Sequence, residues 1–358
     1  MEEQIFLYGI LFLVLIGLYS FLEGKRKKVE LSEDMEAERR LEVHYRRYCL
    51  TAPVIIGFAV FLLSFRRPAP LELHAISVGQ GDCTLVYGRD TSVILIDGGA
   101  TDIKNTGKYR IAPCLKAHGI SVIDYVFISH FDADHVNGII ELLSDVDNGI
   151  TIRRIIISSV VPMMEPNANF DALKEAAADN RRLSPEGVPV MMMDAGDIIE
   201  AGELIIDCLG PDVSGSAAWR GRDLNDNSLI LYLRYKKNGF SALFTGDMSK
   251  ETERELLERY RDGTAYLNPL SAPVTLLKAA HHGSKSAGSE EFIRLLSPMV
   301  TTISCGKDNS YGHPHKEALK VLQGISGNRI YLTPRDGEIT LRVEKNRMSI
   351  ETFLDETE

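Results

Sequence analysis

The sequence of 358 residues predicts an α/β (α+β) fold in which two β-sheets lie between helix layers, preceded by two candidate transmembrane helices. Three features carry that prediction. Two uncharged apolar runs stand near the N-terminus. Roughly a dozen strand-like segments follow, as hairpins first and alternating with helices later. A stretch rich in histidine and carboxylate, Ser129-His130-Phe131-Asp132-Ala133-Asp134-His135, sits at a strand-to-helix turn, where sites of α/β folds form.

Ile5 to Leu22 is a run of about 18 residues without a charge, just long enough to cross a bilayer as a helix. A signal peptide would open on basic residues and end on a small-x-small cleavage site, whereas this chain opens Met-Glu-Glu-Gln. A second apolar run, Tyr48 to Phe65, has similar length. Buried soluble helices are the competing reading, but two such runs ahead of an enzyme-like domain favour a membrane anchor over residues 1–67. The connector between them carries Lys25, Arg26, Lys27, Lys28, Arg39, Arg40, Arg46 and Arg47, whereas Met1 to Gln4 carries no Lys or Arg. The positive-inside rule then places the connector in the cytoplasm and the following domain outside, at the cell membrane, with the lipid bilayer as a partner. Arg66 and Arg67 pull the other way.

Pro68 and Pro70 mark the start of the main domain, expected over residues 71–350 with a tail over 351–358. Leu71 to Val78 alternates as a strand does. Cys83 to Tyr87 and Ser92 to Ile96 read as a hairpin around Gly88-Arg89-Asp90. A helix is predicted over Tyr109 to His118, and a strand over Ile123 to Ile128, delivering His130. Further strands are predicted at Thr151 to Ser158, Val188 to Met193, Leu204 to Leu209, Ser228 to Tyr235, Ser241 to Thr245 and Val274 to Ala280. The last three are Val300 to Ser304, Arg329 to Leu332 and Ile339 to Val343. Helices are predicted at Phe170 to Arg182, Lys250 to Arg261, Glu290 to Leu296 and His315 to Leu322.

Hydrophobic content of 44% and charged content of 25% are those of a globular chain. A formal charge of −10 argues against a protein that coats nucleic acid. It leaves room for an enzyme acting on a phosphodiester, because bound dications reverse the local sign. The five cysteines show neither a zinc-ribbon spacing nor a disulfide framework.

Two imidazoles and two carboxylates in six residues are ligand chemistry for divalent metals; helix capping accounts for Asp134 at most. A two-metal hydrolase needs ions roughly 3.5–4 Å apart, sharing a bridging ligand and holding a phosphate between them. His130 and Asp132 alternate along one extended segment and can face one metal, Asp134 and His135 the other. Asp247, after Thr245-Gly246 at a strand end, is the candidate bridging carboxylate. His281 and His282 end an apolar strand beside Gly283; at least one is expected to ligate, and which one is open. Asp97, before Gly98-Gly99, reads either as a turn residue or as an acceptor that fixes a ligand histidine. Loop residue His313 either steadies a phosphate, protonates a leaving oxygen, or has no role. Asn227 and Ser228 are candidate neutral donors to a phosphate. Lys278, Lys285 and Lys307 are candidates for holding a nucleic-acid backbone, or are merely solvated.

HFDADH (130–135) resembles the metal motif of the metallo-β-lactamase superfamily, written H-x-H-x-D-H. Leu95-Ile96-Asp97-Gly98-Gly99, Thr245-Gly246-Asp247, His281-His282-Gly283-Ser284 and Tyr311-Gly312-His313-Pro314 resemble that family's further pieces, in the expected order. Val78-Gly79-Gln80-Gly81-Asp82-Cys83 and Asn225-Asp226-Asn227-Ser228 are similar to signatures of the soluble domain of ComEC-type DNA-internalisation (competence) proteins. The resemblance covers about residues 71–350. It implies a metallo-β-lactamase-like αββα sandwich binding two divalent metal ions, Zn²⁺ or Mn²⁺. It also implies a catalytic part for Asp134, with Asp247 as the bridge. The implied activity is hydrolysis of phosphodiester bonds, as a nuclease on single-stranded or double-stranded DNA during uptake, beside a separate multi-span DNA channel. Two positions depart from the wider superfamily: Asp132 stands where most members have His, and Asn225 to Ser228 stands where a third histidine usually enters. The implied site is richer in oxygen, which favours Mn²⁺ alongside Zn²⁺ and weakens the first metal position. Two other readings remain open: a metallohydrolase of another phosphoester or cell-surface ester, and a non-catalytic membrane component of an uptake system with a structural metal.

Overall fold

The computed structural model describes residues 71–354 except 164–165, 214–222, 265–266, 268–269, 271–272 and 346, together with Gly17, Ser20, Glu36, Val43 and Gly57. The chain divides into two units, Met1–Pro68 and Ala69–Glu358. Apart from Gly17, Ser20 and Gly57, the two runs expected to span a bilayer lie outside the described residues. Among the described residues no helix is long and apolar enough to cross a membrane.

In the second unit the strands are β1 (Leu71–Ala75), β2 (Thr84–Tyr87), β3 (Ile94–Ile96), β4 (Val122–Ile123), β5 (Tyr125–Phe127), β6 (Thr151–Ile152), β7 (Ile155–Ser158) and β8 (Val190–Met193). They continue as β9 (Ile198–Ala201), β10 (Leu204–Gly210), β11 (Ile230–Tyr235), β12 (Ser241–Phe244), β13 (Leu276–Lys278), β14 (Val300–Ile303), β15 (Arg329–Leu332), β16 (Ile339–Glu344) and β17 (Arg347–Thr352). The main helices are α1 (Ala112–Ala117), α2 (Ala133–Ser144), α3 (Ala168–Asp179), α4 (Lys250–Arg261), α5 (Glu290–Leu296) and α6 (Lys316–Gln323).

One sheet runs β17-β16-β1-β2-β3-β5-β7-β8 and the other β15-β14-β13-β12-β11-β10-β9. Each is half antiparallel and half parallel, with β3-β5-β7-β8 parallel in the first and β12-β13-β14-β15 parallel in the second. Period-2 alternation sorts the side chains into three apolar layers. On the first sheet Val126, Ile128, Ile155 and Ile157 point outward onto Leu115 of α1, Ile139 and Leu142 of α2, and Leu173 of α3. Their neighbours Phe127 and Ile156 point inward, meeting Leu231, Leu233 and Phe244 of the second sheet. That sheet's other face, with Tyr232 and Leu243, packs on Leu256, Phe292 and Leu322 of α4, α5 and α6. Helix, sheet, sheet, helix is therefore the layer order, the expected αββα sandwich.

Several edges differ from the sequence-based expectation, each for a local reason. The strand expected over Ile123 to Ile128 breaks at Asp124. Its carboxylate accepts from the Val93 N–H (2.9 Å) and from Arg153 (2.8 Å), so β4 leaves the sheet and pairs with β6 instead. The predicted helix at Tyr109 begins with a wider π-type turn, Gly107–Ile111, before α1. At the far edge, β17 pairs antiparallel with β16 and runs past residue 350, where a tail was expected.

Candidate metal centre

Parallel strands β3 and β5 of one sheet and β12 and β13 of the other release their carboxyl ends at the same rim. The segments that leave there carry Asp97, His130 to His135, Asp247 and His281-His282. Backbone hydrogen bonds join two of these segments to the loop between β1 and β2, Asp82 N–H to Asp134 O (3.0 Å) and Gly99 N–H to Asp82 O (3.1 Å), and to each other, Gly98 N–H to His135 O (2.7 Å). Glycine is required where the chains touch. A Cβ on Gly81 would lie 2.2 Å from Gly99 O and 2.6 Å from Asp134 O.

The histidines are oriented from behind. Asp97, held at φ 57°, accepts from Ser129 N–H (2.7 Å), Ser129 Oγ (2.8 Å) and His135 Nδ1 (3.0 Å). Having donated to Asp97, the Ser129 hydroxyl accepts from His130 Nδ1 (3.0 Å). His282 Nδ1 donates to Ser304 O (2.9 Å). In all three rings Nδ1 is thus the donor to a neighbour, and Nε2 is the atom turned into the site. Those three Nε2 atoms, with Asp247 Oδ1, are buried and make no well-aligned hydrogen bond. Leaving one such group unsatisfied costs about 1–3 kcal/mol.

Around this gap, His135 Nε2 is 3.3 Å from Asp247 Oδ1, and His282 Nε2 is 3.4 Å from Asp247 Oδ2 and 3.3 Å from Asp134 Oδ2. Ligand bonds of about 2.0–2.3 Å in a tetrahedron put ligand atoms roughly 3.3–3.7 Å apart, so these edges suit a cation at their centre. Asp82, His135, Asp247 and His282 offer ligand atoms all within 4.8 Å of one another, and all four are buried. His130 Nε2 and Asp132 Oδ2 lie 3.6 Å apart beside them, and His281 Nε2 is 3.8 Å from Asp247 Oδ2. Asp132 (45% exposed) and His281 (28%) stand on the open rim, which makes that half looser. The donor set fits divalent metal.

Charge in the site is arranged for the same exchange. Burial opposes ionisation throughout, yet Asp247 and Asp97 drive the His135 pKa well up, and His282 and His135 hold Asp247 well down. Asp134 is lowered to about 2, against its burial, by the His282 ring 3.3 Å away and the nearby His135. Protons on the imidazoles thus stand where cations would. Asp82 also meets Lys278, a fully buried lysine at the end of β13 whose ammonium ion-pairs with it and lies 3.8 Å from Asp247 Oδ1.

The remaining singled-out residues divide by position. Ser228 is buried, and its hydroxyl accepts from the Asp247 N–H (3.2 Å); it braces a ligand and does not face outward. Asn227, also buried, donates to Asp223 O (3.0 Å). His313 stands over the rim with its ring 5.7 Å from that of His281 and 6.0 Å from that of His282. Burial and then His282, His281 and His315 lower its pKa to about 4, so the ring is neutral at ordinary pH. Exposed Tyr311 stacks on it (5.6 Å, 17° between planes). Lys285 and Lys307 are exposed; the Lys285 N–H donates to His315 Nδ1 (3.1 Å). Asp82 was not among the expected ligands, although the Val78 to Cys83 stretch that contains it was singled out.

A family description, Beta-lactamase superfamily domain, matches residues 93–332. ComE operon protein 3 of Bacillus subtilis is 31% identical over 290 residues, which cover 77% of this chain and 33% of that protein. Recombination protein 2 of Haemophilus influenzae is 20% identical over 354 residues, covering 96% of this chain and 39% of that protein. The chain thus spans little more than a third of the length of these relatives. Among solved structures, unliganded yeast PDE1 superposes over 77% of this chain and 100% of its own, with a TM-score of 0.50 at 12% identity, which speaks for the fold alone. The chain belongs to the metallo-β-lactamase superfamily and resembles the soluble domain of ComEC-type competence proteins.

Proposed function

We propose that this chain is a metal-dependent hydrolase of phosphodiester bonds, acting as a nuclease on DNA during competence-type uptake. The observation that carries the reading is the convergence of three buried, unpartnered Nε2 atoms and the Asp247 carboxylate at the rim shared by the two sheets. Asp134, His135 and His282 would hold one ion and His130, Asp132 and His281 the other, with Asp247 between them. Ions there, Zn²⁺ or Mn²⁺, would supply an activated water and screen phosphate charge.

The chain's own groups do the rest. Asp97 and Ser129 keep His130 and His135 in the tautomer that turns Nε2 inward. Neutral His313 offers a hydrogen-bonding edge to a phosphate oxygen; Asn309 fixes its backbone from both sides, accepting from His313 N–H (2.9 Å) and donating to its carbonyl. Exposed Lys285, whose N–H bonds His315, and exposed Lys307, on the loop that precedes His313, suit a polyanion, on a chain whose overall charge would otherwise repel one. The relatives named for a competence operon and for recombination support DNA as substrate. An anchor over residues 1–67, with the catalytic unit outside the cell membrane and a separate channel alongside, completes the proposal.

Labelled single-stranded and double-stranded DNA, incubated with the purified chain and Mn²⁺ or Zn²⁺, tests it. Cleavage that disappears in Asp134→Ala and Asp247→Ala is the expected result. Hydrolysis of small phosphodiesters with intact DNA overturns the substrate, and no turnover with any metal overturns the activity.

A further inference from the structure

A second group of ligating side chains lies on the outer face of the first sheet, under α1, and shares no residue with the rim site. Glu72 and His74 of β1, Tyr87 of β2, Cys114 of α1, His118 just after it and Glu338 just before β16 meet there. Two kinds of distance occur among them. The first kind are ordinary hydrogen bonds: His74 Nδ1 to Glu338 Oε1 (2.9 Å), His74 Nε2 to Glu72 Oε2 (3.1 Å), and Tyr87 Oη to Glu72 Oε2 (2.6 Å). The second kind are longer: His118 Nε2 to Glu338 Oε1 (3.3 Å) and Cys114 Sγ to Glu338 Oε2 (3.4 Å). Both lengths match the edges of a tetrahedron around an ion with bonds of about 2.0–2.3 Å; in the ion-free protein the sulfur contact is that of the thiol donating to the carboxylate.

Proton accounting points the same way. Tyr87 has one hydroxyl proton, and the carboxylate of Glu72 takes it at 2.6 Å. Its oxygen can then only accept from His118 Nδ1 (3.2 Å), which puts that ring's proton on Nδ1. In the neutral ring, Nε2 is therefore a bare lone pair aimed at a carboxylate, two acceptors face to face. Only something positive between them relieves that: a second proton on the imidazole, or a cation. Cys114 supplies the third donor, four residues before His118, a spacing that puts both on one face of a helical segment. The second carboxylate–imidazole contact, Glu338 to His74, orients Glu338 as outer partners orient metal ligands.

We infer that Cys114, His118 and Glu338 form a second divalent-cation site, and that zinc is the ion their sulfur, nitrogen and oxygen donors suit. The thiol proton leaves to solvent as the ion enters, and a water completes the shell from the partly open side, where Glu338 is 24% exposed. The ion ties α1 to the start of β16, across the edge of the sheet.

Cobalt substitution of the full chain tests the assignment without any activity assay. The rim site offers no sulfur ligand, so a thiolate-to-cobalt charge-transfer band reports the second site alone. The band is expected in the wild type and in Cys49→Ser, and lost in Cys114→Ser, with zinc content falling by one ion per chain in Cys114→Ser and His118→Ala. If Cys114→Ser fails to fold, zinc absorption spectroscopy of the wild type still decides, through a sulfur neighbour at about 2.3 Å. No band and no sulfur neighbour in the wild type at saturating metal means that a proton, not a cation, fills the gap, and overturns the inference. A band that survives Cys114→Ser overturns it equally.

Discussion

Asp97 offers the sharpest test of how the rim site is built, because it touches no substrate and governs two histidines at once. Asp97→Asn keeps the shape and suits the backbone, since asparagine tolerates the positive φ of 57° found there. Its Oδ1 can still accept from the Ser129 N–H. Its amide, however, puts a donor where Oδ2 now accepts from Ser129 Oγ and His135 Nδ1. His135 must then shift its proton to Nε2, the atom facing Asp247, and the Ser129 hydroxyl is turned toward His130. Losing one charge-assisted hydrogen bond in a fully buried place is worth about 1.5–3 kcal/mol. Changing a group that orients a metal-binding histidine in this way lowers metal affinity by about 10- to 100-fold. Competition with a fluorescent chelator measures that affinity, and circular dichroism confirms that the sheets persist. Wild-type affinity in a folded Asp97→Asn would refute the tautomer argument.

Three further outcomes follow from the same geometry. Lys278→Met removes the ammonium that ion-pairs with the buried Asp82 carboxylate, leaving it only the longer contacts with His282 (3.5 Å) and His135 (3.8 Å), and should cost the metal-free protein up to about 3–5 kcal/mol, read as a drop in unfolding temperature that added zinc recovers. Metal should stabilise more at higher pH. The folded pKa values of His135 and His282 are raised from the ordinary 6.5, so their contribution to metal-free stability is full below that value and fades as pH climbs through the raised ones. Asp134, near 2 when folded against 3.8 unfolded, contributes above 3.8 and loses that as pH falls toward 2. Because zinc needs a bare Nε2, its increment in unfolding temperature should grow between about pH 5 and 8; a flat increment sinks the proton-for-metal exchange. Gly81→Ala drives a methyl into Gly99 O and Asp134 O, neither of which is a movable side chain, and should cost about 1–3 kcal/mol by denaturant titration.

The layered fold was legible because alternation and apolar runs are written locally, as in Val126-Phe127-Ile128 and Ile155-Ile156-Ile157, whose neighbours point to different layers. The HFDADH cluster was legible because no other chemistry needs that composition at one turn. Asp82 was not, since nothing near it in sequence shows that its N–H will bond Asp134 O, 52 residues away by the numbering. Nor could the chain order show which of His281 and His282 turns inward. Both take positive φ, 48° and 53°, and the tertiary contact of His282 Nδ1 with Ser304 O settles it as the buried one. Nor did the chain order show that the Ser228 hydroxyl would accept from the Asp247 N–H. Asp124 interrupted a strand because its carboxylate found Val93 and Arg153, partners that the apolar run around it conceals.

The rim ligands come from both halves of the sandwich: His130 to His135 follow a strand of the first sheet, Asp247 and His282 strands of the second. An ion seated among them is therefore a rivet through the seam at this end, joining two slabs whose shared interior is apolar. Chelators should loosen that end first, making amides near residues 97–99 and 245–247 exchange with solvent before the far edges do.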